Sequence, residues 1–464
     1  MKITVINGSP KGNYSITLQT MIYLQKKDPS LEIEVLNAGQ IIKSLEKDFS
    51  RAKELLQASE AIIFSYPVYT FIAPSQLHRF IELMKSENVD VRDKYVSQIS
   101  TSKHFYDVTA HKYVEENLLD MGVRYVKGLS ADMDDLLCER GRKEAEQFME
   151  RFIWSVKNGV YTQRDKNESK GELVPIERRV TNCKHLSSKD VVIVTDCADE
   201  ASNLYAMIER FRADFKYETR VVNINEVQIN AGCLGCFRCA VSGKCVHKDG
   251  FDTFLREKIL KADAIVYAFE IKDHSMGSRF KMYDDRNFCN GHRTVTEGMP
   301  IGYIVSGHLA FEANLRTVIE GRAEVGSNFL CGVATDESDP AAQIEMLCKS
   351  LAFALDTKHT CPQNFLGVGG MKIFRDLIWQ MRGMMKADHK FYKSHGHYDF
   401  PQKHFFRSLM MYPIGWLLSS EKILTKIGNK MNEGMLAPYN KLFSDMEKEE
   451  EQKKDPRKIK SKAA

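Results

Sequence analysis

Four cysteines fall within thirteen residues of this chain, in the run Gly232-Cys233-Leu234-Gly235-Cys236-Phe237-Arg238-Cys239 and then Cys245. The spacing is Cys-x2-Cys-x2-Cys-x5-Cys. Thiolates this close can wrap one compact inorganic centre. Gly232, Gly235 and Gly243 let the backbone curl around it, and Arg238, Lys244 and Lys248 offset its negative charge. Successive Cys-x2-Cys steps are the ferredoxin-like mode of iron–sulfur ligation. Zinc more often takes two Cys-x2-Cys pairs separated by a longer loop. Unligated thiols are the third reading. Cys233, Cys236, Cys239 and Cys245 are therefore the candidate metal ligands, and a [4Fe–4S] cluster is the expected metal group.

A second constellation lies at the start of the chain. Residues 3–7 are β-branched and apolar, and Gly8-Ser9-Pro10-Lys11-Gly12-Asn13-Tyr14 leads from them into a helical segment near Ser15. A loop from a strand to a helix N-terminus presents free backbone N–H groups and the positive end of the helix dipole, which suits a phosphate. Gly8 and Gly12 permit close approach, Ser9, Asn13, Ser15 and Thr17 supply polar hydrogens, and Lys11 adds charge. The loop is neither G-x-x-x-x-G-K-[ST] nor G-x-G-x-x-G. An ordinary strand–helix turn with a capping serine is the competing reading.

After the third strand comes Ser65-Tyr66-Pro67-Val68-Tyr69-Thr70-Phe71, then a helix containing Gln76-Leu77-His78-Arg79-Phe80-Ile81. With the first loop, these residues resemble the NADPH-dependent FMN reductase family, which has a flavodoxin-like fold. The resemblance covers most of residues 1–155. It implies that Ser9, Asn13, Ser15 and Thr17 contact the FMN phosphate, and that Pro67, Val68, Tyr69 and Thr70 line the isoalloxazine ring. Ser100, Thr101 and Ser102, after the fourth strand, would complete the site. Many members carry glycines there, whereas this chain continues Lys103-His104-Phe105. The cysteine run, with Gly243-Lys244-Cys245-x-x-Lys248-Asp249, resembles the iron–sulfur flavoproteins, whose cluster exchanges electrons with a bound flavin. Together these resemblances imply an NAD(P)H-dependent, FMN-containing oxidoreductase passing electrons to an iron–sulfur cluster or a small acceptor. Two alternatives stand beside it. One is a quinone- or azo-type flavin reductase with vestigial cysteines. The other is a redox-sensing, metal-bound interaction protein.

The elements that must hold these loops repeat along the chain. Strand–helix alternation runs five times through residues 1–157, with Ala61-Ile62-Ile63-Phe64-Ser65 as a buried strand of the parallel-sheet kind. Residues 158–189 are polar and read as a linker. Alternation restarts over 190–360, from Val191-Val192-Ile193-Val194 onward, and this second unit carries the cysteine run after its second strand. The expected architecture is α/β: two flavodoxin-like, doubly wound parallel-sheet units in tandem, then a helical region. The second unit's first loop, Thr195-Asp196-Cys197-Ala198-Asp199-Glu200, sets three carboxylates where a phosphate would sit. FMN is therefore expected in the first unit alone. A homodimer could bring flavin and cluster together.

Residues 361–445 read as a basic, aromatic-rich helical extension, and 446–464 as a disordered charged tail. The packing of 363–445 across the α/β units is the favoured reading, against docking to a partner or an anionic membrane. The formal charge of +4 over 464 residues does not suggest nucleic acid. No stretch approaches the ~18 apolar residues of a spanning segment, and no signal peptide is visible, so the chain reads as cytoplasmic. Its eleven cysteines are then expected reduced or ligating. Cys289, Cys331, Cys348 and Cys361 lack metal-like spacing and read as small buried hydrophobes. A small-molecule or protein electron acceptor is the expected partner.

Overall fold

Runs such as Ile3-Thr4-Val5-Ile6 and Ala61-Ile62-Ile63-Phe64 are apolar on both sides of the pleat, so each must be covered by helices on both faces. The computed structural model bears this out. It describes residues 1–162, 170–177 and 185–420, and beyond them 422–423, 436, 440–441 and 443–448. Strands β1 (Lys2–Asn7), β2 (Glu32–Leu36), β3 (Ala61–Pro67), β4 (Tyr95–Ser102), β5 (Arg124–Tyr125) and β6 (Leu129–Asp132) form the first sheet. All pairs are parallel and the order is β2-β1-β3-β4-β5, with β6 also on β4. That is the flavodoxin order, with its ligand crevice beyond the carboxyl ends of β1 and β3. The fifth strand is split into β5 and β6, and Gly128 between them runs against the Gln98 backbone.

The second sheet repeats the arrangement. Strands β7 (Leu186–Thr195), β8 (Tyr217–Asn223), β9 (Ala264–Glu270), β10 (Pro300–Ser306) and β11 (Phe329–Thr335) run in the order β11-β10-β9-β7-β8. Read from the other edge, this is the same sequence of strands. The helix Glu139–Asn158 ends the first domain. The second begins at Leu186, inside the stretch read as linker. Of that stretch, 163–169 and 178–184 lie outside the described residues. Its middle is tied to the second domain: the Val174 N–H donates to the Asp336 carbonyl at 2.8 Å, and the Ile176 N–H donates to Asn203 Oδ1 at 2.9 Å.

The two domains meet reciprocally through equivalent helices, Ser75–Ser86 and Gly277–Arg286. Asp285, at the end of the second, accepts the Ser75 N–H at 2.7 Å and the Thr70 hydroxyl at 2.8 Å. Glu82, at the end of the first, accepts the Ser278 N–H at 2.7 Å and its hydroxyl at 2.6 Å. Each helix N-terminus, short of acceptors by its geometry, is thus capped by an acid of the other domain. The loops ahead of them match too. Thr70 and Phe71 have positive φ, as do Asp273 and His274. The two α/β domains thus make direct contact within one chain.

His274 bonds Asp120 at 2.8 Å and Glu312 at 2.9 Å, with Glu116, Lys85, Asp273 and Lys170 as the other charged groups around it. Burial favours its neutral form, but the Asp120 and Glu312 carboxylates outweigh this and hold it up to about 9. A folded-state value above the unfolded ~6.5 means this contribution is complete below pH ~6.5 and lost as pH rises through 9. Thermal denaturation is therefore expected to show stability falling by about 2–3 kcal/mol between those values, and His274→Gln should flatten that fall. An unchanged pH profile in the variant would contradict the assignment.

The extension after residue 360 divides. Helices Phe365–Gln380 and Lys386–Ser394 pack on the α/β domains, burying Gly370, Ile378, Asp388 and Tyr392. Residues 396–464 form a separate unit containing the helix Phe405–Leu418. Its side chains from Phe405 to Leu417 are exposed. Residues 443–448 are helical, which corrects the start of the tail read as disordered; 449–464 lie outside the described residues. No described helix is long and apolar enough to cross a membrane.

Candidate cofactor cavity between the two α/β domains

The first loop keeps its shape through its own side chains. Asn7 Nδ2 donates to the Gly12 carbonyl at 2.8 Å, and the Asn7 side-chain oxygen accepts the Ser9 N–H at 3.2 Å. Gly12 has φ +53°, and a Cβ there would run into Gln40. Ser15 caps the helix Ile16–Lys27, accepting the Leu18 N–H at 3.4 Å. Ser9, Ser15 and Thr17 are buried at this helix start, and Thr17 shares a 2.5 Å hydroxyl contact with Thr101 of β4. The Ser102 hydroxyl is buried with no hydrogen-bond partner among the described residues. A buried set of hydroxyls at a helix N-terminus, with the unsatisfied Ser102 hydroxyl at the end of β4 in the same cavity wall, fits an anionic group such as the FMN phosphate.

One cavity brings both constellations together. Its wall includes Ser9, Lys11, Ser15 and Thr17 from the first loop, Pro67, Val68, Tyr69 and Thr70 from the loop after β3, and Thr101 and Ser102 from β4. Cys233, Cys236, Cys239 and Cys245 of the second domain line the same cavity. Two residues expected at the flavin, Asn13 and Ser100, are not part of this wall. Asn13 turns to Asn37, whose amide donates to it at 2.9 Å, and the Ser100 hydroxyl is taken by His111 at 2.8 Å.

The cysteine loop is docked onto the flavin-type loops by direct contacts. Gln76 donates to the Cys233 carbonyl at 3.3 Å. Gly235 has φ +59°, and a Cβ there would collide with the Tyr69 hydroxyl. Lys11 lies 5.9 Å above the Phe237 ring. Burial pushes the Lys11 ammonium below its usual range, while Cys236 and Cys233 pull the other way. The base of the loop is clamped by Arg286, which bonds both Asp249 oxygens at 2.8 Å and donates to the Ala231 carbonyl at 2.8 Å. Asp249 also accepts the N–H groups of Asn230 and Phe251, so one buried ion pair fixes both ends of the loop.

Burial raises the Cys233 and Cys239 thiols, Cys239 to about 11. Uncompensated, these sulfurs would stay protonated; a positive metal centre stabilises their thiolates. The Gly235 N–H points to Cys233 Sγ at 3.4 Å, the kind of contact that tunes a cluster sulfur. The donor set fits an iron–sulfur group.

Several lining residues were not legible as such. Cys289 reads as a core residue by spacing, yet it lines the cavity, its thiol pushed up to about 12 by burial. Phe288 and His292 follow the interdomain helix, and Ile373, Phe374 and Leu377 come from the helix Phe365–Gln380. Phe374 stacks on Phe105 at 4.4 Å and meets His292 at 4.8 Å. Lys103, the departure noted after β4, is held by Asp132 and Asp134, each at 2.7 Å. Only the cysteine count hinted at Cys289; nothing in the sequence tied residue 374 to residue 105.

The equivalent loop of the second domain is closed. The Asp199 carboxylate accepts the Ala201 N–H at 2.8 Å, and Asn223 and Asn225 donate to the Cys197 and Asp196 carbonyls, each at 2.7 Å. Burial, with Glu270 nearby, raises Asp196 to about 7. Asp196, Asp199 and Glu200 thus leave this loop acidic, which disfavours a phosphate there.

An iron–sulfur flavoprotein of Clostridioides difficile strain 630 is 29% identical over 83 residues, which is 18% of this chain and 36% of that relative. The chain therefore spans about a third of that relative's length. Among solved structures, a flavoenzyme NAD(P)H:(acceptor) oxidoreductase from Paracoccus denitrificans matches with TM-score 0.29 and 19% identity, covering 34% of this chain and 97% of the other. A structure titled as a quinone reductase from Klebsiella pneumoniae matches with TM-score 0.28 and 18% identity, covering 38% and 87%. The first α/β domain, over residues 1–129, matches the NADPH-dependent FMN reductase family.

Proposed function

We propose that this chain is an NAD(P)H-dependent FMN oxidoreductase that pairs a flavin on the first domain with an iron–sulfur cluster on the second. The observation that carries the reading is the single cavity lined by both the first-domain loops and all four clustered cysteines. Bound there, FMN supplies hydride acceptance and one-electron release, and the cluster supplies one-electron acceptance. The chain's own part is placement. Ser9, Ser15 and Thr17 bind the phosphate, and Lys11 sits between that phosphate and the cysteine loop. Tyr69 and Thr70 present the loop beside the ring, and Phe105, Phe374 and Leu377 exclude water. The Cys-x2-Cys-x2-Cys run itself favours a cluster, since zinc more often takes two Cys-x2-Cys pairs separated by a longer loop.

The flavin site is tested by Ser9→Ala with Ser15→Ala. Each lost charge-assisted hydrogen bond is worth ~1.5–3 kcal/mol, so retention of FMN should fall at least tenfold. The cysteine-bound metal should stay. Fluorescence titration of the apoprotein measures the first and metal analysis the second. Unchanged FMN affinity in the double variant would remove the first loop from the site.

A further inference from the structure

We propose that the helix Phe405–Leu418 is a membrane-surface anchor that seats itself in an anionic bilayer interface. Every side chain described from Phe405 to Leu417 is exposed, among them Phe406 at 80%, Trp416 at 78%, Tyr412 at 77%, Phe405 at 63% and Met410 at 62%. A helix on a water-soluble surface turns an apolar stripe inward and polar residues outward. This one has a single charge, Arg407, and is apolar on all its faces. An exposed apolar patch of this extent marks an interaction site.

Three observations select the bilayer as occupant. First, a protein groove or a second copy covers one side of a helix and leaves the other sides in water, whereas acyl chains and headgroups surround it. Second, fourteen residues span ~21 Å, short of the ~30 Å hydrocarbon core, so the helix lies in the interface rather than across it. Tyr412 and Trp416, one turn apart, are the aromatic types that settle at headgroup level. Third, residues 400–420 contain no Asp or Glu but include Lys403 and Arg407; Asp399 and the pair Glu421-Lys422 flank them, so 399–422 keeps a small net positive charge. Basic residues beside an apolar helix favour anionic lipid.

The test is co-sedimentation of the full-length, flavin-loaded protein with phosphatidylglycerol–phosphatidylcholine vesicles, against phosphatidylcholine alone. Binding to the anionic vesicles is expected, weakened by salt, with a blue shift of tryptophan emission that Trp416→Phe removes. Leu409→Glu with Met410→Glu should weaken binding at least tenfold while FMN content is unchanged, since both sites are exposed and outside the cofactor cavity. Protein that stays in the supernatant with anionic vesicles overturns the proposal. So does a double-glutamate variant that binds as well as the parent. A variant that changes only self-association in sedimentation velocity would assign the helix to a second copy instead, and also overturns it.

Discussion

A Cys236→Ser chain is expected to purify with its FMN but with iron and acid-labile sulfide at background. Cys236 is the choice because it is exposed, so serine there disturbs packing least. The hydroxyl is a poor ligand for a site that selects soft thiolates, and three thiolates leave one iron uncovered. FMN should remain because its proposed contacts come from Ser9, Ser15 and the loop after β3. NAD(P)H should then still bleach the flavin, while transfer to any one-electron acceptor served by the cluster disappears. Metal analysis and anaerobic titration read the two outcomes separately. If FMN left together with the iron, the flavin would be held by the cysteine loop itself, against the division between domains.

The second large effect belongs to Lys281. Its ammonium is fully buried and bonds Asp285 at 2.6 Å, Asp284 at 3.3 Å, and the carbonyls of Tyr69 and Thr70 at 3.0 and 3.3 Å. Asp285 in turn caps Ser75 and holds Thr70. One cation therefore ties the interdomain helix to the loop after β3, which lines the cavity proposed for the flavin. Lys281→Met keeps the volume but leaves a buried carboxylate unpaired, at a cost of about 3–5 kcal/mol. Thermal unfolding should shift down accordingly, and FMN affinity should fall because the Tyr69–Thr70 carbonyls lose their anchor. Adding Asp285→Asn removes the stranded charge and is expected to restore much of the stability but not the affinity. A single variant as stable as the parent would show that the ion pair holds nothing together.

Much of this was legible in the sequence, and for a physical reason. Buried parallel strands are apolar on both faces, so β1, β3, β7 and β9 announce themselves locally. The glycine-bearing first loop and the cysteine run also declare their chemistry within a few residues. What could not be read was the meeting of the two. It depends on Asp285 capping Ser75 and Glu82 capping Ser278, pairs about two hundred residues apart whose acids look like ordinary helix charges. Phe374 and Cys289 were hidden likewise, because a residue's place in a cavity wall is a property of tertiary packing. The helix Phe405–Leu418 was read as a packing element because its composition is that of a core. Its described side chains are exposed.

The central claim is that flavin and cluster share one cavity within a single chain. The most direct test is stopped-flow mixing of anaerobic protein with NAD(P)H, following flavin bleaching by absorbance and cluster reduction by freeze-quench electron paramagnetic resonance. The account predicts iron, sulfide and FMN in fixed ratio to protein. It also predicts a cluster-reduction rate that follows the flavin and does not change with protein concentration, because no second chain is needed. Zinc without sulfide at the cysteines, or a rate rising in proportion to protein concentration, would contradict it.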